Sequence, residues 1–113
     1  MMRTLLLAAT LALSASAVHA ASFDCAKARL PDEKTICAYR SLSEADVKMA
    51  TLFNVDTRLV AMGERGNIQD AQAEWLKNRH ACGRNVACLT RSYNRRIAEL
   101  QAEFDSIASR GPF

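Results

Sequence analysis

The sequence predicts an all-α fold: a small antiparallel three-helix bundle with a disulfide-pinned N-terminal segment. Three observations carry this. Apolar residues recur at helical spacing in three long stretches, and nothing alternates with period two for long enough to make a strand. Two prolines and four glycines in 113 residues leave room for few and short turns. Four cysteines fall into two local pairs, each bracketing an expected turn. A chain of this length is one domain, which excludes a large multi-layer enzyme or a separate regulatory unit.

Taken in chain order, residues 1–20 read as a cleaved signal peptide. Arg3 supplies the positive start, and Leu5 to Leu13 is apolar apart from Thr10. Val18 and Ala20 stand at the small-residue positions of a cleavage site after Ala20. The run is well short of the roughly 20 apolar residues that span a bilayer, so no stable membrane anchor is expected. Removing twenty of 113 residues leaves a domain over 21–113 of 93 residues, about 45% apolar, with a charge of +2. Residues 21–76 hold seven Lys/Arg and nine Asp/Glu, whereas residues 77–113 hold seven Lys/Arg and three Asp/Glu. Such a split can mark a nucleic-acid or membrane contact, but a solvated basic helix face is its commoner meaning. Export argues against nucleic acid, and a periplasmic or secreted location follows from the leader.

Residues 21–31 look irregular. Asp32 to Tyr39 could form a short helix with Ile36 facing inward. Ser41 or Ser43 can cap a longer helix, and Ser41 with Glu44 fits a capping box. That helix is expected from about Leu42 to Met62, with Leu42, Ala45, Met49, Leu52, Phe53, Leu59 and Val60 on one arc. The run Gly63-Glu64-Arg65-Gly66 is expected to end it. Asn67 can cap a second helix from Ile68 to about Cys82, which buries Ile68, Ala71, Trp75 and Leu76 and stops at Gly83. Asn85 can cap the last helix, from Val86 to about Ala108. Its seam of Leu89, Tyr93, Ile97, Leu100, Phe104 and Ile107 falls within about 80° of arc. The aromatics Phe53, Trp75, Tyr93 and Phe104 read as core rather than as a ligand cage.

In an exported chain the four cysteines imply disulfides. Three connectivities are possible and sequence alone does not choose. The local pairs Cys25–Cys37 and Cys82–Cys88 are the expected ones, each worth about 2–3 kcal/mol by chain entropy. Zinc, with His80 as a further ligand, is the weaker alternative because no C-x-x-C is present. No metal or other cofactor is expected.

Three charged residues break the apolar faces. Asp56 lies in the first arc, Arg79 in the second, and Arg96 borders the third. An unpaired buried charge is too costly to keep. Counting along the helices puts Asp56, Glu74 and Arg96 at one height, which predicts an Asp56–Arg96 ion pair with Arg79 as second-choice partner. A catalytic role for Asp56 would need a second group and a cleft. No nucleophile elbow, paired carboxylates in a groove, or glycine-rich phosphate loop is visible, so no enzyme and no catalytic residue is expected.

The motif residues resemble a known family. Ser22-Phe23-Asp24-Cys25, Glu33-x-x-Ile36-Cys37, Gln72-x-x-Trp75-Leu76-x-x-Arg79-x-x-Cys82 and Cys88-Leu89-x-x-x-Tyr93-x-x-Arg96-Ile97-x-x-Leu100 are similar to the LprI-type lysozyme-inhibitor domain, over almost the whole chain after the leader. The resemblance implies a small disulfide-bonded helical domain of the bacterial envelope that binds a lysozyme and blocks its attack on peptidoglycan. It implies ion-pair or packing roles for Arg79 and Arg96. Many lysozymes are strongly basic, and a +2 inhibitor would be repelled at long range. An inhibitory surface is therefore expected among the acidic residues Asp32, Glu33, Glu44 and Glu64. The alternative is a general envelope-binding module that uses a basic C-terminal helix face of Arg91, Arg95 and Arg110.

Overall fold

The computed structural model describes residues 20–111, so the leader expectation lies, apart from Ala20, outside the described residues. Among those residues there are no strands. A 3₁₀ turn at Cys25–Lys27 precedes four α-helices: α1 (Pro31–Ala38), α2 (Arg40–Leu59), α3 (Met62–Ala81) and α4 (Val86–Ser109). The short helix near residue 32 thus stands beside the three long ones. The all-helical class holds, with four helices where three main ones were expected.

Local chemistry explains most of the boundaries. Asp24 caps the 3₁₀ turn by accepting the Ala26 N–H at 2.9 Å. Pro31 opens α1 at a position where its missing N–H costs nothing. Asn85 caps α4 by accepting the Cys88 N–H at 3.0 Å, as expected. Gly83 (φ 56°) closes the turn after α3, a left-handed conformation that glycine adopts without strain.

Two junctions differ from the sequence reading. Neither Ser41 nor Ser43 caps α2, whose N-cap is Tyr39 without a side-chain bond. The Ser43 hydroxyl is buried and donates to the Ile36 carbonyl at 2.6 Å, which ties α2 to α1. Glu44, rather than closing a capping box, takes Arg40 at 2.8 Å. The second difference is at the α2–α3 corner. The break falls at Val60–Ala61, and Gly63 and Gly66 lie inside the first turns of α3. The corner is fixed by Arg65, whose Nε donates to the Thr57 carbonyl at 2.7 Å and whose Nη2 donates to the Val60 carbonyl at 3.3 Å. A cation thus caps the carbonyl end of α2, as the helix dipole favours, and two glycines tolerated within a helix carry no stop.

Both expected disulfides are present, Cys25–Cys37 and Cys82–Cys88. No cysteine is free, so thiolate ligation of zinc does not arise. The first bridge pins the N-terminal segment to α1, and the second closes the α3–α4 corner. α2 and α4 share the largest contact, α1 packs on α2, and α3 packs on both long helices. The core is Ile36, Leu42, Met49, Ile68, Trp75, Leu89, Tyr93, Leu100 and Ile107. Trp75 and Tyr93 meet edge to face with centroids 5.2 Å apart, and the Trp75 indole donates to the Ser92 carbonyl at 3.1 Å. Both aromatics are core residues. No described helix is long and apolar enough to cross a membrane.

Candidate functional site

The helices bring together a charge network that the sequence reading only half anticipated. Asp46 stands on the apolar arc of α2, four residues after Leu42 and three before Met49, and is wholly buried. Its Oδ2 accepts the Ser22 N–H at 2.7 Å and also the Ser22 hydroxyl. Its Oδ1 accepts the Tyr93 hydroxyl at 2.8 Å. Arg79 comes from α3, also buried. Its Nε donates to Asp32 Oδ2 at 2.8 Å, and its Nη1 lies 3.5 Å from the Tyr93 hydroxyl and 3.9 Å from Asp46. The guanidinium carbon sits 5.9 Å from the Phe23 ring and 5.8 Å from the Trp75 ring, within cation–π range of both. His80 Nδ1 is 2.8 Å from the same Asp32 oxygen, and since a carboxylate only accepts, that nitrogen is the donor.

One guanidinium therefore joins the N-terminal segment, α1, α2 and α4 to α3. Burial pushes the Asp32 carboxyl upward, but hydrogen bonds from His80 and Arg79 and their charges outweigh it and hold the group below the usual range. Burial and then the Asp46 carboxylate push the Tyr93 hydroxyl well above its ordinary value, so it remains a donor. Above Asp46 and Arg79 opens a groove of about 440 Å³. Phe23, Met49, Phe53 and Leu76 form its walls, and Asp24, Lys27, Glu33 and Asn54 edge it.

The predicted site residues fall as follows. Arg79 is in the network, but its partners are Asp32 and Asp46 rather than Asp56. The Asp56–Arg96 hydrogen-bonded pair does not form. Arg96 Nε donates to Gln72 Oε1 at 2.9 Å, Nη1 to Glu99 Oε2 at 3.1 Å and Nη2 to the Ile68 carbonyl at 3.4 Å. These three bonds turn the guanidinium toward α3 and Glu99, and both oxygens of the fully buried Asp56 lack a hydrogen-bond partner. Burial pushes the Asp56 carboxyl above the usual range, and the Arg96 charge acting through space offsets this only in part.

The four acids proposed as a partner surface are not brought together. Asp32 is buried under Arg79 and His80 and has no surface to offer. Glu44 pairs with Arg40, and Glu64 pairs with Arg110 at 3.3 Å. Only Glu33 borders the groove, where one oxygen accepts the Arg29 N–H at 3.2 Å. Arg110, paired to Glu64, also drops out of the expected basic face.

Asp46, Ser22 and the His80 contact were missed. Asp46 was recoverable, because it lies on the same arc as Asp56 and breaks the apolar pattern equally. Ser22 and His80 carry no periodic signal, since their role depends on tertiary contact with carboxylates 24 and 48 residues away. Among the described residues no group of three or more His, Cys, Asp and Glu is placed to hold a metal. Compared with family models, curated proteins and solved structures, the chain finds no match.

Proposed function

We propose that this chain is an exported, non-catalytic inhibitor that engages a lysozyme-type muramidase and blocks it by steric occlusion, with the groove above Asp46 and Arg79 as its contact surface. The observation that carries the reading is the combination of open aromatic and aliphatic walls with ionic groups already committed to one another. Asp46 accepts three hydrogen bonds and Arg79 faces two carboxylates and two rings, so neither is poised for proton transfer to a substrate. What remains is a rigid concavity suited to taking a partner's side chains.

The resemblance to the LprI-type domain supports the same reading. Its motif residues Trp75, Arg79 and Tyr93 are mutual neighbours here, and the Ser22-Phe23 element supplies one anchor and one wall of the groove. The acidic contribution to a basic partner then comes from Glu33 at the groove edge. Glu44 and Glu64 are excluded because arginines already neutralise them.

The test is a cell-wall turbidity assay with lysozymes of several classes over a salt series. Inhibition is expected at near-stoichiometric ratios. Asn54→Trp, which fills the groove from an exposed position, should weaken it at least tenfold with unchanged helicity, the scale of a lost interface hot spot. Absence of inhibition of every lysozyme class at every salt concentration would sink the reading.

A further inference from the structure

The expected leader cleavage after Ala20 coincides with a boundary in the fold. Ala20 is exposed, whereas Ala21 is 7% exposed and belongs to the core. The next residue is tied down at once. The Ser22 N–H donates to Asp46 Oδ2 at 2.7 Å, and the Ser22 hydroxyl donates to the same oxygen. The chain therefore joins the folded domain at the residue that follows the cut.

The buried charges at that point do not balance. Asp32 and Asp46 share one guanidinium, Arg79, whose Nε is 2.8 Å from Asp32 while its Nη1 is 3.9 Å from Asp46. The second base nearby, His80, is also on Asp32. Asp46 is wholly buried, and its three hydrogen bonds come from neutral donors, Ser22 twice and Tyr93 once. A carboxylate has about four acceptor sites, so one remains. A buried carboxylate with neutral donors and only a shared cation is a place for a further positive charge.

We infer that the N-terminus of the processed chain is that charge: the α-ammonium group of Ala21 pairs with Asp46, so that removal of the leader completes the buried network. Hydrolysis of the Ala20–Ala21 amide adds water across the C–N bond. It leaves a carboxylate on the released leader and, at neutral pH, an ammonium on Ala21. In the uncut chain the same nitrogen is an amide without charge. Adjacent backbone nitrogens lie at most about 3.7 Å apart, so the Ala21 nitrogen is within about 6.4 Å of Asp46 Oδ2 before it is freed. Opposite charges at such separations favour each other's charged forms. Ser22 borders the groove, where the remaining ammonium protons can meet water. Of the charged groups around this point, Arg79 and Lys27 oppose a second cation, and Asp24, Asp32 and Glu33 favour it. Tyr93 stays protonated, because burial holds its hydroxyl far above its ordinary value. The inference rests on the export half of the reading above and on no lysozyme.

The test expresses the full sequence, leader included, in a bacterial host, and reads the N-terminus of the exported protein by mass spectrometry. A start at Ala21 is expected. NMR titration should put its α-amino group about one unit or more above the ordinary range of about 7.7–8.0. One glycine inserted between Ala20 and Ala21, its own start checked the same way, moves the ammonium away from Asp46. It should return the amine to the ordinary range and raise the unfolding equilibrium constant at neutral pH about tenfold, the equivalent of one unit. A raised native value means that the contribution is complete below the unfolded value and is lost as the pH rises through the native one. The urea midpoints of the two proteins should therefore converge above about pH 10. Asp46→Asn should also return the amine to the ordinary range. A start at any other residue, an amine that titrates in the ordinary range, or a glycine penalty unchanged at high pH would each overturn the inference. Retention of the whole leader would count against export as well, whereas the other two results leave the lysozyme assay to decide its own question.

Discussion

At the scale of single residues, Arg79 has the most consequences. It is buried between two carboxylates and two aromatic rings, and it is the cation shared by Asp32 and Asp46. A buried pair contributes little net stability compared with apolar packing, but removing one partner strands the other. Arg79→Met is therefore expected to destabilise the fold by about 3–5 kcal/mol, because it leaves Asp32 and Asp46 in the core without their cation. Urea unfolding followed by circular dichroism checks this, read as a lower midpoint at an unchanged slope. Arg96→Met is expected to destabilise as well, because it removes the charge that partly offsets the burial of Asp56, although its ion-pair partner Glu99 is half-exposed and would be left in water.

At the scale of elements, the two long helices that pack most on each other, α2 and α4, are set by features visible in the chain. The seam of α4 and the Asn85 cap stand where spacing puts them, and Pro31 marks the start of α1. The α2–α3 corner was not legible in the same way. Gly63 and Gly66 look like a stop, yet the corner depends on Arg65 reaching back to the Thr57 and Val60 carbonyls, a tertiary choice with no local signature. The candidate site was legible in part for the same reason. Arg79 and Asp56 announce themselves by breaking an apolar face, but which acid meets which base depends on how the helices rotate against each other. The glycines give a direct check. A Cβ on Gly66 would meet nothing within 4 Å, and its backbone is helical, so Gly66→Ala is expected to stabilise by about 0.5–1 kcal/mol. Gly83→Ala has the same open surroundings but φ 56°, so it should destabilise by about 1 kcal/mol. Thermal unfolding of the two variants should move in opposite directions.

At the scale of the whole molecule, two buried acids give stability opposite dependences on pH. Asp32 is held below its ordinary range by His80 and Arg79 against the pull of burial. Its contribution is complete above the unfolded value, near 3.9, and is lost as the pH falls through the lower native value. Asp56 is the reverse case. Burial raises its native value above the unfolded one, so between the two values the folded state binds more protons and stability increases as the pH falls. The Glu64–Glu103 hydrogen bond raises Glu103 and lowers Glu64, so these two oppose each other and leave Asp56 as the group that carries the trend. Stability should therefore rise as the pH is lowered through the raised native value of Asp56 and collapse only below the ordinary carboxylate range. Asp56→Asn keeps the shape of the side chain and removes the buried charge. It is expected to stabilise at pH 7 by about 1 kcal/mol or more, because both oxygens of the native carboxylate lack partners. Its advantage should shrink as the pH falls and Asp56 in the parent chain takes up its proton, so the curve of the variant is flatter above the collapse. Asp32→Asn should lower stability at neutral pH and soften the acid collapse. Urea midpoints for the three proteins between pH 3 and 8 separate the two terms. A parent curve that only falls from pH 7 downward, with Asp56→Asn no more stable than the parent at pH 7, would contradict this account of Asp56.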